Sequence, residues 1–162
     1  MVAAVGVPAS PRLTFTSVVE TDRAFLESCW DDLELRRYLG GAMPKEKRDR
    51  IFASFLSSDS CWVLRLADGT PVGSSFVVDA EAGRELGMEL IVGAQRLGLG
   101  REAGAAILEW LAARDVPEVI AVVQEGNGAS NGLVRSLGGV EQMRYEKWAA
   151  RQIESHVPLE PS

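Results

Sequence analysis

The sequence has few of the residues on which disulfide frameworks and metal centres depend. Two of its 162 residues are cysteines and one is a histidine. Cys29 and Cys61 have no C-x-x-C spacing and lie in apolar surroundings, which is typical of buried free thiols in a reducing compartment. His156 is near the C-terminus, where a mobile tail would leave it solvated and without a catalytic role. We therefore expect neither a disulfide framework nor a bound metal.

A basic surplus and long apolar runs are also missing. The formal net charge is -6 at pH 7, whereas proteins that bind a phosphate backbone usually carry a positive surplus, so no nucleic-acid partner is expected. No apolar run approaches the roughly 18 residues of a membrane span. Residues 1–8 lack the basic start of a signal peptide. These features predict one cytoplasmic domain without a membrane partner, and 162 residues can bury an ordinary core.

One stretch of the chain joins a strand to a helix through a polar turn. Apolar and other residues alternate over Glu85–Val92, which predicts a strand. The apolar residues of this strand are Leu86, Met88, Leu90 and Val92. The following helix is predicted from apolar residues at i, i+4, i+7 and i+8, which are Ala103, Ile107, Trp110 and Leu111.

The turn between them, Gln95–Gly100, has the chemistry of an anion site. A helix start has unpaired backbone N–H groups and the positive end of the helix dipole. Gly98 and Gly100 would let that backbone approach an anion closely, and Arg96 and Arg101 add positive charge. We interpret the turn as a pyrophosphate site.

A dinucleotide is the alternative pyrophosphate ligand. Gly98, Gly100 and Ala103 satisfy G-x-G-x-x-A, and Glu125 follows at the end of the next predicted strand. In that fingerprint, however, the strand runs almost directly into the first glycine, whereas residues 93–97 intervene here. The strands upstream also follow one another without the strand-helix alternation of a doubly wound sheet. Both features count against this alternative.

The whole chain predicts the order β-α-α-β-β-β-α-β-α-β. Helices are expected from Thr21 or Asp22, from Pro44, after Gly100, and over Asn127–Leu137. The predicted strands are Arg12–Val19, Cys61–Leu66, Val72–Asp79, Glu85–Val92, Val116–Gln124 and Val140–Trp148. The near-continuous apolar run of the fifth strand predicts burial on both faces. Residues 1–11 and 150–162 are expected to be flexible termini.

A second motif gives the turn a specific meaning. Asn127-x-x-Ser130-x-x-Leu133-x-x-x-Leu137-Gly138-Gly139 resembles the N-x-x-S-x-x-L-x-x-x-L-G-F segment of the GNAT superfamily of acetyl-CoA-dependent N-acetyltransferases. Gln95-x-x-Gly98-x-Gly100 is similar to that family's Q/R-x-x-G-x-G/A pyrophosphate loop. Residues 30–41 resemble the N-terminal part of its RimJ/RimL-like branch. The resemblance covers residues 12–149 and implies a single GNAT domain.

The resemblance implies a fold and a cofactor. The expected fold is α/β (α+β): a mixed, mostly antiparallel sheet of six or seven strands with helices on both faces and a gap between the fourth and fifth strands. The expected cofactor is acetyl-CoA. The residues implied in binding it are Leu90, Ile91, Val92, Gln95, Arg96, Leu97, Gly98, Leu99, Gly100, Arg101, Asn127 and Ser130. Free N–H groups near Leu90 to Val92 would bond its pantetheine and thioester. Asn127 could also simply cap the next helix.

The acceptor amine must lose a proton before it attacks. A lysine-like amine with a pKa near 10.4 costs about 4.6 kcal/mol to deprotonate at pH 7, and an N-terminal amine only about 1 kcal/mol. Glu85 and Glu89 share one face of the fourth strand, where the family often has its general base. We prefer Glu89 as the residue nearer the thioester. Solvent exposure of one or both carboxylates remains the alternative.

One position departs from the family pattern. Where many members have a tyrosine that protonates the leaving thiolate, this chain has Val134. Tyr145, Ser130 or water could take its place, and unassisted departure of a thiol with a pKa near 8.5 costs only about 2 kcal/mol at pH 7. Tyr38 is expected to line the acceptor pocket. The implied acceptor is a protein N-terminus or a small-molecule amine, and a homodimer is possible. A non-catalytic acyl-CoA-binding sensor remains the alternative function.

Overall fold

The computed structural model describes residues 6–160, which form one mixed sheet with helices on both of its faces. The strands are β1 Thr14–Ser17, β2 Cys61–Arg65, β3 Pro71–Ala80, β4 Gly83–Leu90, β5 Glu118–Gln124, β6 Val140–Lys147 and β7 Ala150–Pro158. The helices are α1 Arg23–Asp31, α2 Lys45–Leu56, α3 Leu99–Ala112 and α4 Gly128–Ser136. The predicted order and the mostly antiparallel sheet are confirmed, with one further strand at the end.

The sheet divides into two antiparallel halves that meet at one short parallel contact. Its strand order is β1-β2-β3-β4-β5-β7-β6. Strand β4 pairs with β5 in parallel, and the pairing is confined to Glu85 and Ile120. Beyond that pair the two strands separate, so the sheet has a wedge-shaped gap on the side of Leu90 and Gln124. The predicted gap between the fourth and fifth strands is confirmed.

The prediction of a flexible C-terminal tail over 150–162 is wrong for Ala150–Pro158, which form β7, and residues 161–162 lie outside the described residues. Strand β7 lies between β5 and β6 and pairs with both along its length. Its sequence concealed this position because Gln152, Glu154 and Ser155 are polar, yet all three are buried. Their burial comes from neighbouring strands on both sides, which apolar alternation within one segment does not reveal.

The N-terminal segment is also held in place where the structure describes it. Trp110 Nε1 donates a hydrogen bond of 2.6 Å to the Gly6 carbonyl, and Ala9 forms a bridge with Thr14. The predicted flexible terminus is therefore wrong for residues 6–11, and residues 1–5 lie outside the described residues. This segment runs along α3, so it reaches the start of that helix.

Two apolar clusters hold the helices against the sheet. Helix α3 buries Leu99, Ala103, Ile107 and Leu111 on one face, close to the predicted stripe, and they pack with Trp62 and Val119. On the other face α1 and α2 pack Leu26, Trp30, Phe52 and Phe55 around Cys61 and Val63.

Strand β5 is buried only as far as Ala121. Its later residues border the gap, so the prediction of burial on both faces holds for the first half. None of the helices between residues 6 and 160 is long and apolar enough to cross a bilayer.

Candidate active site

The gap between β4 and β5 opens into a cavity of about 460 Å³. Most of its walls come from residues 85–89 of β4, residues 121–124 of β5, the start of α4, and the helices α1 and α2 with their connecting loop. Residues of β3, β7 and the β6–β7 turn, and one residue of α3, complete the lining. A strand that separates from its neighbour leaves backbone groups unpaired along its edge. The cavity therefore combines apolar side chains with a free strand edge.

The edge of β4 directs particular backbone groups at the gap. The Ile91 amide donates a hydrogen bond of 2.9 Å to the Val72 carbonyl of the neighbouring segment. Because consecutive residues of a strand direct their backbone groups to opposite edges, the N–H groups of Met88 and Leu90 face the gap. The prediction of free amides from Leu90 to Val92 is therefore wrong at Ile91, whose amide belongs to the sheet.

The predicted anion-binding turn follows β4 directly. A short 3-10 turn, Val92–Ala94, leads into it, and Gln95 Nε2 donates a hydrogen bond of 2.9 Å to the Leu90 carbonyl. Arg96 has a φ of 62° and Gly98, the N-cap of α3, has a φ of 78°. Glycine has no side chain with which to cap a helix, so the first N–H groups of α3 remain available to a ligand.

Arg12 supports this turn from outside and was not predicted as a site residue. Its Nη1 atom donates to the Leu97 carbonyl at 3.0 Å, and its Nε atom donates to Glu102 Oε1 at 2.8 Å. The Ser10 hydroxyl donates to the other Glu102 oxygen at 2.6 Å. Burial raises the pKa of Glu102, but the bonds from Ser10 and Arg12 outweigh it and lower the pKa. The N-terminal segment thus fixes the turn through a pair of groups 90 residues apart in sequence.

The start of α4 forms the opposite wall of the cavity. Asn127 caps the helix, since its Oδ1 accepts a hydrogen bond of 3.2 Å from the Ser130 amide. Buried Asn131 donates to the carbonyls of Gln124 at 3.0 Å and of Asn127 at 2.9 Å, which ties α4 to the end of β5. Asn127, Ser130 and Val134 line the cavity. The capping interpretation of Asn127 is confirmed, and its position also suits contact with a ligand.

Glu89 lies on the cavity wall with its side chain 11% exposed. Its Oε2 atom is 3.6 Å from Arg36 Nη1, whereas its buried Oε1 atom has no hydrogen-bond partner among the described residues. Arg36 is held by hydrogen bonds to the carbonyls of Gly41 and Leu39. Burial raises the pKa of the Glu89 carboxyl, and the opposing influences of Arg36 and Trp30 are smaller. One carboxylate oxygen therefore lies at the cavity wall without a hydrogen-bond partner and shielded from solvent.

Glu85 also lines the cavity, at its narrow end. Burial raises its pKa, the charge of Lys147 lowers it and that of Glu154 raises it. Tyr145, the third predicted catalytic residue, is on β6 and is not among the residues that line the cavity. Burial, Glu154 and Glu85 raise its pKa, in that order. The structure therefore brings Glu85 and Glu89 to one cavity and leaves Tyr145 beside it.

The only histidine lies in the sheet. His156 Nε2 is 3.0 Å from Glu154 Oε1 and its Nδ1 is 3.3 Å from Glu118 Oε1. The prediction of a solvated histidine in a mobile tail is wrong, because β7 holds it between two carboxylates.

Tyr38 lines the cavity from the α1–α2 loop, as predicted. Its ring lies 3.5 Å from where a Cβ at Gly126 would stand, so the loop reaches across to the end of β5. The sequence interpretation missed other lining residues: Trp30, Arg36, Met43, Phe55, Phe76 and Trp148.

Burial raises the pKa of the Cys29 thiol to about 12, with a smaller contribution from Glu89, and burial also raises the pKa of the Cys61 thiol. Both thiols stay protonated, so neither is suited to carry an acyl group.

Comparison with known proteins gives one family-model match. The family model described as the acetyltransferase (GNAT) domain matches residues 12–140. None of the curated proteins matches the chain in sequence.

Solved structures share the whole architecture. A GNAT-family acetyltransferase from Bacillus anthracis has a TM-score of 0.81 at 15% identity, with 93% of this chain and 97% of that one covered. Spermidine N-acetyltransferase from Vibrio cholerae, in complex with CoA and spermine, has a TM-score of 0.77 at 12% identity with the same coverage. The protein yncA from Salmonella typhimurium, solved with its cofactor acetyl-CoA, has a TM-score of 0.73 at 15% identity, with 94% and 96% covered. Identities this low show a common fold and do not show a common acceptor.

Proposed function

Because the chain belongs to the GNAT acetyltransferase family, we propose that it transfers the acetyl group of acetyl-CoA to a primary amine by direct attack in a ternary complex. The observation that carries this proposal is the buried, unpartnered Oε1 atom of Glu89 on the wall of the gap between β4 and β5. The RimJ/RimL-like resemblance favours a protein N-terminus as acceptor, and the relatives solved with ligands include an enzyme for a small amine.

The residues around the gap fit coenzyme A. The free N–H groups at the start of α3 would hold its diphosphate, with Arg96 and Arg101 supplying charge. The Leu90 amide would donate to the thioester carbonyl and the Asn127 side chain to the pantetheine. A donor aimed at a developing oxyanion is worth about 3 kcal/mol where water is excluded. When bound, acetyl-CoA supplies an activated acetyl group and a thiol leaving group.

In this mechanism Glu89 accepts the proton of the acceptor ammonium, directly or through a water. Its raised pKa brings it closer to the pKa of the amine than an ordinary carboxylate would be. General-base assistance typically contributes about 10² to 10⁴ in rate when the base is close to the proton it accepts. Arg36, fixed by two backbone carbonyls, would keep the Glu89 carboxylate oriented without occupying Oε1.

The departing thiolate has no tyrosine hydroxyl at the usual place, since Val134 stands there. A thiol pKa near 8.5 makes unassisted departure cost about 2 kcal/mol at pH 7, which is tolerable. Ser130 lines the cavity and Tyr145 does not, which supports Ser130 or water as the proton source.

We expect Ser130→Ala to lower kcat by about threefold to tenfold, because water would replace the hydroxyl at modest cost. Tyr145→Phe should leave kcat within twofold. Initial rates of thiol release from acetyl-CoA measure both. A loss of a hundredfold in Tyr145→Phe would contradict this assignment and return Tyr145 to the role of acid.

Thiol release from acetyl-CoA over a panel of primary amines tests the proposed function. We expect amine-dependent turnover, and we expect acetyl-CoA, but not NADH, to raise the melting temperature. Tight binding without turnover for every amine would favour the acyl-CoA sensor. Stabilisation by NADH alone would favour the dinucleotide alternative.

Arg12 gives a further test of the cofactor site, since it holds the Leu97 carbonyl beside the turn. We expect Arg12→Ala to weaken CoA binding about fivefold, the loss that corresponds to about 1 kcal/mol for one exposed hydrogen bond that positions the turn. Titration calorimetry measures this effect. Arg84→Ala is the matched control, because Arg84 is also an exposed arginine with one acidic partner and lies away from the turn. Equal effects of the two substitutions would contradict a specific role for Arg12.

A further inference from the structure

The cavity walls carry balanced charge, which restricts the acceptor. Their ionised side chains are Arg36, Lys47, Glu85 and Glu89. Glu89 faces Arg36. Glu85 is acted on by Lys147 and Glu154 with opposite signs, so the walls have no surplus of negative charge for several cations. The Glu89 Oε1 atom is the buried carboxylate oxygen left without a partner among the described residues. A polyamine or an aminoglycoside would bring several ammonium groups into this space. Burying a charge without a partner is unfavourable, so the walls are suited to one ammonium group.

The cavity wall formed by α1, α2 and β3, where the acceptor would lie, is apolar and aromatic. Phe55 packs edge-on against Trp30 with ring centroids 6.2 Å apart, and it packs against Phe76 in a tilted arrangement with centroids 5.8 Å apart. Helix α2 directs Lys47, Ile51, Ser54 and Phe55 at the cavity, which is the i, i+4, i+7, i+8 face of a helix. The rings form a continuous apolar wall close to Glu89 on the same side of the sheet. A ligand whose body is apolar would gain the most from that wall.

Trp148 stands at the turn between β6 and β7 and also lines the cavity. It is 65% exposed and has a φ of 54°, followed by a φ of 57° at Ala149. A bulky residue in the left-handed region is a rare outlier, and an indole exposed to this extent contributes little to the core. The two positive φ values serve the two-residue turn that joins β6 to β7, so any residue there would need this backbone. The indole itself is in contact with Lys147, whose Nζ lies 4.4 Å from the ring centroid, and its position at the cavity suits contact with a ligand.

We infer that the acceptor is a primary monoamine with an aromatic or branched apolar body, which packs between the α2 face and Trp148. This inference rests on the proposed function. The shared chemistry could come from a small arylalkylamine or from the first residue of a peptide. In either case the single ammonium lies near Glu89, and the body lies against Phe55 and its neighbours.

Specificity constants at saturating acetyl-CoA test the inference. The acceptors are 2-phenylethylamine, isopentylamine, spermidine, kanamycin and the tripeptide Phe-Ala-Ala. We expect kcat/KM for the better of 2-phenylethylamine and the tripeptide to exceed that for spermidine at least tenfold. The acceptor with the higher kcat/KM shows whether the amine comes from a small arylalkylamine or from a peptide N-terminus. A higher value for spermidine or kanamycin would overturn the inference and leave the proposed function intact. Acetyl-CoA binding without turnover of any amine would instead refute the proposed function.

Trp148→Gly separates a ligand contact from a structural role. Glycine accepts the positive φ without strain, so we expect the melting temperature to stay the same or rise. Under the inference, kcat/KM for 2-phenylethylamine falls about tenfold and kcat/KM for ethylamine stays within twofold. Trp148→Phe, which keeps an aromatic ring, should restore most of the loss. Equal losses for both amines, or no loss for either, would overturn the assignment of Trp148.

Discussion

Replacing Glu89 with glutamine is expected to lower kcat for amine acetylation by about 10² to 10³, with little change in the affinity for acetyl-CoA. Glutamine keeps the shape of the side chain and cannot accept the ammonium proton, so the loss reports the general-base contribution. Arg36 retains its bonds to the carbonyls of Gly41 and Leu39, so its guanidinium does not become a buried group without partners. The melting temperature should therefore not fall appreciably. Steady-state rates and titration calorimetry measure the two effects.

Glu85→Gln is the matched control, since Glu85 is on the same face of β4 and in the same cavity. It lies at the narrow end, where β4 and β5 still pair, so we expect a loss of less than tenfold. If Glu85→Gln were the more damaging substitution, Glu85 would be the base and Glu89 would have a supporting role. Equal losses below tenfold for both would refute general-base catalysis by either carboxylate.

The pH dependence gives an independent check on Glu89. Burial raises its pKa in the folded protein above the ordinary value of 4.5, so the acid limb of kcat/KM should lie above pH 4.5 and disappear in Glu89→Gln. The effect on stability has a defined sign. Between the unfolded pKa and the raised folded pKa the native state binds more protons, so the wild type loses stability as pH rises through that window. The glutamine variant lacks this loss, and its melting temperature relative to the wild type should increase with pH there.

Local sequence signals were sufficient to predict a helix, strand or turn where one segment contains the whole pattern of that element. The glycines at Gly98 and Gly100, the alternation of β4 and the cap at Asn127 each specify a structure within a few residues. These signals predicted the order of the first ten elements and the turn at the start of α3. The alternation of β4 put Glu85 and Glu89 on one face, but it was the family resemblance that placed them and the loop residue Tyr38 at the site.

The parts that could not be predicted depend on contacts between distant segments. Strand β7 is held by ladders on both sides, so its polar residues Gln152 and Glu154 can be buried without an apolar pattern. Arg12 reaches Leu97 and Glu102 only because the N-terminal segment runs along α3. The bond between Ile91 and Val72 fixes which β4 amides face the gap. The sequence of β4 alone does not show whether its odd-numbered or its even-numbered amides do so.

The glycine turn gives the other large expected effect. Gly98 has a φ of 78°, and a Cβ there would stand 3.4 Å from Arg12 Nη2. A β-branched residue in the left-handed region is strained by about 2 kcal/mol, and relief of that strain would move the N–H groups at the start of α3. We therefore expect Gly98→Val to weaken CoA binding by at least thirtyfold in titration calorimetry.

Gly93→Val is the matched control for Gly98→Val. Gly93 lies in the same connection, and a Cβ there would meet nothing within 4 Å. Its φ lies outside the left-handed region, so we expect CoA affinity within about threefold of the wild type and an unchanged melting temperature. If Gly98→Val bound CoA as tightly as Gly93→Val, the backbone at the start of α3 would not be what holds the diphosphate. The assignment of the gap as an acetyl-CoA site would then lose its main support, because the free β4 edge by itself does not distinguish pantetheine from any other extended ligand.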